Sequence, residues 1–219
     1  MNINMGDDSM LELSPFLKDA LREIGNIASC HAITALAEMT GMTIDINVPT
    51  VEVVTIGDVE KLVEVEKIVA GVMVALDGGF SGYLLVLFPR RSALRIVDIL
   101  MGKMPGETKS IETEMEQSAL METGNILASS FCNAIADFLR FTLMPSPPSF
   151  AFDMMGAMVE SAIITVVEAQ KAEQIILFKC DFQENTNEIY GYILLFPHPE
   201  SLKGLLSTLE SKVGVNQEG

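Results

Sequence analysis

Apolar positions in this chain follow two rhythms. Over residues 14–39 they recur every three to four residues, the spacing of one helical face. That stretch opens on Ser14-Pro15 and closes at Gly41. Proline suits the first helical position because its missing N–H would have no partner there, and glycine is a common helix stop. Residues 42–48 alternate as a strand and residues 51–56 follow as another. Residues 58–65 predict a short helix. Residues 68–76 and 83–88 are continuous β-branched or apolar runs joined through Asp77-Gly78-Gly79, which predicts a hairpin. Residues 92–101 predict a closing helix.

The same order then starts again. Glu23-Ile24-Gly25-Asn26-Ile27 aligns with Glu122-Thr123-Gly124-Asn125-Ile126, Ala35 with Ala134, and Pro49 with Pro148, all 99 residues apart. Further on, Gly82-Tyr83-Leu84-Leu85 matches Gly191-Tyr192-Ile193-Leu194, and Phe88-Pro89 matches Phe196-Pro197, so the second copy carries about nine extra residues. Its elements are a helix over 111–138, a strand broken by Pro145-Ser146-Pro147-Pro148, a strand over 150–152 and a helix from near Asp153. A hairpin of 174–182 with 189–196 follows, then a last helix ending near Lys212. The repeats span about 14–102 and 113–211, with a turn-rich linker at 102–107. Each copy has very apolar strands for its size, and one shared sheet buries more of them than two separate units would. The expectation is an α+β fold: a single domain over residues 1–219, pseudo-two-fold, with two long helices on a shared, mostly antiparallel sheet.

Charge narrows the function classes. The 219 residues include 30 acidic and 14 basic side chains, a net charge of −16. Nucleic-acid binding needs a basic footprint, so no nucleic-acid partner is expected. The longest apolar run, residues 68–76, is too short to cross a bilayer, so no membrane span is expected. The first residues lack the basic start and apolar run of a secretory signal. Cys30, Cys132 and Cys180 are odd in number and far apart, which reads as reduced thiols in a cytoplasmic protein. His31 and His198 have no partners at ligand spacing, so no metal or other cofactor is expected on this chain. Gly78-Gly79-Phe80-Ser81-Gly82 precedes no helix and reads as a turn, not a phosphate cradle.

On a helical wheel, Glu23 falls roughly 40° and Asn26 roughly −20° from Asp19. The three form a narrow polar stripe. Ile24, Ile27, Ala28, His31 and Ala35 fall on the apolar side. Ser118, Glu122 and Asn125 repeat the stripe. A single such stripe is ordinarily a solvated surface; its repetition with the same spacing calls for more. Asn is a middling helix former, and Gly25 and Gly124 beside it each cost roughly 1 kcal/mol against Ala. Costly residues kept at one position in both copies suggest an edge where another surface docks.

Asp19-x3-Glu23-x2-Asn26-x22-Pro49 and Ser118-x3-Glu122-x2-Asn125-x22-Pro148 resemble the two signature motifs of the CheC family of CheY-phosphate phosphatases, which also includes CheX and FliY. With both motifs present, the likeness is to CheC more than to the one-motif CheX. The resemblance implies two antiparallel long helices on one side of a continuous sheet. It also implies an aspartyl phosphate on a CheY-type response regulator as substrate, and the receptor deamidase CheD as a second partner. Mg²⁺ would come with the regulator. An acyl phosphate is already activated, so what remains to be supplied is an attacking water in line. A side-chain amide donates and accepts hydrogen bonds without charge, which assigns that task to Asn26 and Asn125. Glu23 and Glu122 would hold the regulator, with Asp19 and Ser118 as peripheral contacts. Pro49 and Pro148 would shape the connection beside each helix. Asp153 is the expected deamidase contact, and Met154, Met155 and Met158 form a possible partner surface. The competing class is a non-catalytic regulator-binding or flagellar-switch module.

Overall fold

A computed structural model describes residues 14–55, 58, 64–170, 174–184, 189–198 and 201. The first half contains α1 (Pro15–Thr40), β1 (Asp45–Ile46), β2 (Thr50–Thr55), β3 (Ile68–Gly78), β4 (Gly82–Pro89) and α2 (Arg90–Leu100). The second contains α3 (Glu114–Leu139), β5 (Leu143–Pro145), β6 (Ser149–Met154), α4 (Met155–Gln170), β7 (Gln174–Glu184) and β8 (Ile189–Pro197). Residues 59–63, where a short helix was expected, and 202–212, where the final helix was expected, lie outside the described residues.

Local chemistry sets the ends of the long helices. Ser14 offers its carbonyl to Lys18 N at 3.0 Å, and Gly41 ends α1 in the left-handed region at φ +69°. In α3 the start moves from the expected 111 to Glu114, because Thr113 is the cap. Glu116 N donates to Thr113 Oγ1 at 3.2 Å and Thr113 N donates to Glu116 Oε2 at 3.1 Å, a reciprocal capping box. Arg140 stands where Gly41 stands in the first copy and takes the same left-handed turn, φ 59°.

Eight antiparallel strands form one sheet of order β1-β7-β8-β4-β3-β5, with β2 also on β7 and β6 also on β3. The halves therefore exchange strands. β1 and β2 pair with the second half's β7 (Val51 opposite Phe178), and β6 pairs with the first half's β3 (Phe150 opposite Val72). The centre is the β4–β8 pair, Val86 opposite Ile193.

Both faces of the sheet are covered, which explains why its strands read as unbroken apolar runs. Leu84, Val86 and Phe88 of β4 face α1, α2 and α3, while Leu85 and Leu87 face α4. In β8, Ile193 and Leu195 take the first side and Leu194 and Phe196 the second. Full burial of each such side chain favours folding by roughly 1.5–3 kcal/mol.

Three expectations need correction. The strand expected over 42–48 shrinks to Asp45–Ile46, because Pro49 has no N–H to donate and the chain turns before it. The helix expected from Asp153 begins at Met155, since Met154 still pairs with Ile68 of β3. The three methionines are not one surface: Met155 is buried and Met158 lies against Gly71 under α4, leaving only Met154 exposed.

The linker is pinned. Asp98 of α2 accepts from Gly106 N at 2.6 Å and Thr108 N at 2.8 Å. Lys103 Nζ donates to Glu116 Oε1 at 3.0 Å, tying the linker to the first turn of α3.

Candidate functional site

The two polar stripes lie on the outer sides of α1 and α3. Leu21, Ile24, Ala28, Ala32 and Leu36 point α1 into the core, and Leu120, Leu127, Phe131 and Ile135 do the same for α3. Opposite them, Glu23 and Glu122 are exposed and Asn26 and Asn125 are half-buried. A Glu and an Asn three residues apart rise about 4.5 Å along the helix and share a face. Each Asn thus has a packed stem and a reachable carboxamide. None of these four side chains hydrogen-bonds to a described residue. Their donors and acceptors are open to an incoming molecule.

The supporting residues differ between copies. Asp19 is engaged within its own helix, accepting from Arg22 Nη1 at 3.3 Å, whereas Ser118 is exposed. Pro49 is buried against α1: a Cβ built on Gly25 would meet Pro49 Cβ at 3.4 Å and Phe178 Cδ1 at 3.6 Å. Pro148 is half-buried and precedes β6. Gly124 meets β3 far more tightly, with 2.4 Å from its notional Cβ to Val72 Cγ2. The glycines are therefore not the docking edge that the sequence suggested. The surface that comes close is the protein's own sheet, and both glycines are buried. Gly124 packs on Val72 of β3 in the opposite half, whereas Gly25 packs first on Pro49 of its own half and then on Phe178 of the opposite half's β7, so each stripe is backed at least in part by a strand of the other half.

Other singled-out residues fall elsewhere. His31, expected on the apolar side, is exposed. Gly78 ends β3, paired with Leu143, and Gly79 lies in the bend before β4, where Gly79 N donates to Thr142 O at 2.8 Å. Asp153 is exposed on β6, its Oδ1 accepting from Met154 N at 2.7 Å. Cys132 and Cys180 are buried, their thiols pushed up by burial to about 12 and about 11. Cys30 is exposed, one turn beyond Asn26 on the same stripe.

Sequence reasoning missed two features. Arg22 partners Asp19, a pair legible as opposite charges three residues apart. Phe16 and Met115, again 99 residues apart, are exposed at the heads of the two stripes. The offset that aligned the Asn residues also aligns these.

The stripes are convex helix surface. An apolar gap of about 10 Å³ lies beneath Gly25, lined by Leu21, Ile24, Phe131 and Phe178. That is at the lower limit for one water and offers it no polar partner. Among the described residues, no three His, Cys, Asp or Glu side chains cluster as a metal site, and no helix is long and apolar enough to cross a membrane. Such a surface suits a macromolecular partner that brings its own reactive group.

Comparison with known proteins follows the same residues. The CheC-like family matches over 16–53 and 115–151, each segment running from a long helix past its proline. The CheY-P phosphatase CheC of Bacillus subtilis is 27% identical over 193 residues, covering 87% of this chain and 92% of that protein. The crystal structure of FliY from Thermotoga maritima superposes with a TM-score of 0.70 at 22% identity, covering 92% of this chain and 100% of that one. CheX in a CheX–CheY–BeF3–Mg²⁺ complex from Borrelia burgdorferi gives 0.53 at 19% identity, covering 80% and 96%. The two structural likenesses establish the shared fold.

Proposed function

We propose that this chain, whose two motif segments match the CheC-like family, is a chemotaxis phosphatase that hydrolyses the aspartyl phosphate of a CheY-type response regulator. The observation that carries this reading is the repeated pair of exposed Glu and half-buried Asn, one helical turn apart, with side chains that no described residue engages.

The chemistry follows from what each partner brings. Phosphoryl transfer is chiefly positioning and charge stabilisation. The regulator contributes the acyl phosphate, and with it Mg²⁺. The carboxamide of Asn26 or Asn125 orients a water for in-line attack, as a glutamine does in GTPases. It can hold the water's proton and lone pair together, and it adds no negative charge beside the phosphoryl oxygens. Glu23 and Glu122 pair with a cationic group on the regulator and fix the helix in register. Pro49, packed on Gly25, and Pro148 act through the backbone next to each helix. Exposed Asp153 remains the proposed contact for CheD within this reading.

A purified chain mixed with phosphorylated CheY-type regulator tests the proposal. Faster release of inorganic phosphate than from the regulator alone supports it. Tight binding with no acceleration favours the non-catalytic regulator-binding or switch module instead.

A further inference from the structure

Phe16 and Met115 are 44% and 72% exposed, and they occupy the same position in the two copies. Each lies seven residues before its Glu and ten before its Asn. Seven residues is within about 20° of two full turns, so these side chains share the face of the stripe. The full pattern reads Phe16-x2-Asp19-x3-Glu23-x2-Asn26 and Met115-x2-Ser118-x3-Glu122-x2-Asn125. Neither apolar residue is among the buried core side chains that these helices contribute, such as Leu21 and Leu120. A large apolar side chain left in water twice, at one matched position, gives the folded chain no packing return.

We propose that Phe16 and Met115 are apolar anchors that seat the response regulator over each Glu/Asn stripe. The inference rests on the reading above and names further residues of the same site. Two arguments favour a protein as the occupant. An anchor at ten residues from the Asn lies about 15 Å along the helix. That distance fits within a standard protein–protein patch roughly 30 Å across, and a small acyl phosphate held at the Asn could not reach it. The second argument is charge. The field of a net charge of −16 is screened within about 10 Å at physiological salt, so for this chain it bears on encounter more than on the affinity of a docked complex. Its affinity must then come from a few desolvated apolar side chains beside polar contacts, the usual composition of an interface hot spot.

The test uses the full chain and its own organism's CheY-type regulator, activated by beryllofluoride and Mg²⁺ for binding or phosphorylated for turnover. The variants are Phe16→Ala with Met115→Ala and, as a conservative control, Phe16→Leu with Met115→Leu. The alanine pair should weaken binding roughly tenfold or more, on the scale of lost hot-spot residues. It should raise KM in proportion and hold kcat within about twofold. Its melting temperature should stay that of the wild type, and the leucine pair should recover most of the affinity. Unchanged affinity in the alanine pair overturns the anchors while leaving the phosphatase reading in place. So does a fall in kcat with KM unchanged. A wild-type chain that neither binds nor dephosphorylates the regulator overturns that reading, and the anchors with it.

Discussion

Gly124 of α3 sits so close to Val72 of β3 that a Cβ on it would lie 2.4 Å from Val72 Cγ2 and 2.5 Å from its Cβ. Val72 is fully buried in the middle of β3, and a branched side chain at a strand's core has little freedom to yield. Its counterpart, Gly25, has 3.4 Å to Pro49 and borders a small apolar gap. The two glycines should thus respond oppositely to alanine. Gly124→Ala should destabilise by about 1–3 kcal/mol through overpacking. Gly25→Ala should be neutral or stabilise by up to about 1 kcal/mol, because helix propensity is gained and the gap is filled. Urea midpoints of the two variants check the contrast.

Arg140 closes α3 at φ 59°, a conformation that costs a side chain roughly 1–2 kcal/mol and costs glycine almost nothing. The first copy uses Gly41 there, at φ +69°. Arg140→Gly should therefore raise stability by about 0.5–1 kcal/mol, read as a higher melting temperature. An unchanged or lower value would mean that the arginine side chain compensates for the strain.

Glu116 joins the helix start to the linker. Backbone N–H donation from Thr113, the Lys103 ammonium and backbone donation from Glu112 together hold its carboxyl at about 2, against an ordinary 4.5. A carboxyl whose folded pKa is depressed stabilises fully above its unfolded value and loses that contribution as pH falls toward the folded one. Stability should decline between about pH 4.5 and 2 from this group. Glu116→Gln, which can still cap but cannot titrate, should be less stable than wild type at pH 7 and show a shallower acid decline. Melting temperatures across that pH range give the comparison.

Thiol chemistry should separate the copies. Cys132 and Cys180 are buried with raised pKa values, so they hold little thiolate at neutral pH. Cys30 is exposed on the first stripe. Iodoacetamide on the folded chain should label Cys30 alone, as read by peptide mass. The adduct should lower regulator dephosphorylation only partly, since the second stripe carries no cysteine at the matching position, where Ser129 stands. Complete loss of activity would mean that the two stripes do not work independently.

Both hairpins and the long helices were legible because hydrophobic period is a local property of the sequence. Strand exchange was not. Nothing in the alternation of β2 says that Val51 will face Phe178 and not a strand of its own half. The phase of α1 was also misjudged. Part of its inward face is Gly25, Ser29 and Ala32, small residues that carry little hydrophobic signal yet are buried. With that face underweighted, His31 was placed inside. The capping box was readable from Thr113 and Glu116, three residues apart, and explains the shifted helix start. For the site, spacing gave the Glu and Asn positions. Their being half-buried or exposed and unengaged required coordinates, as did the exposure of Phe16 and Met115.

The central claim is that the carboxamides of Asn26 and Asn125 direct water onto a phosphate carried by another protein. The most direct measurement is single-turnover decay of a phosphorylated CheY-type regulator under saturating amounts of wild type, Asn26→Ala, Asn125→Ala and the double variant. The account predicts partial acceleration from each single variant and none from the double, with regulator binding and melting temperature retained. A folded double variant that still accelerates decay as the wild type does would contradict it.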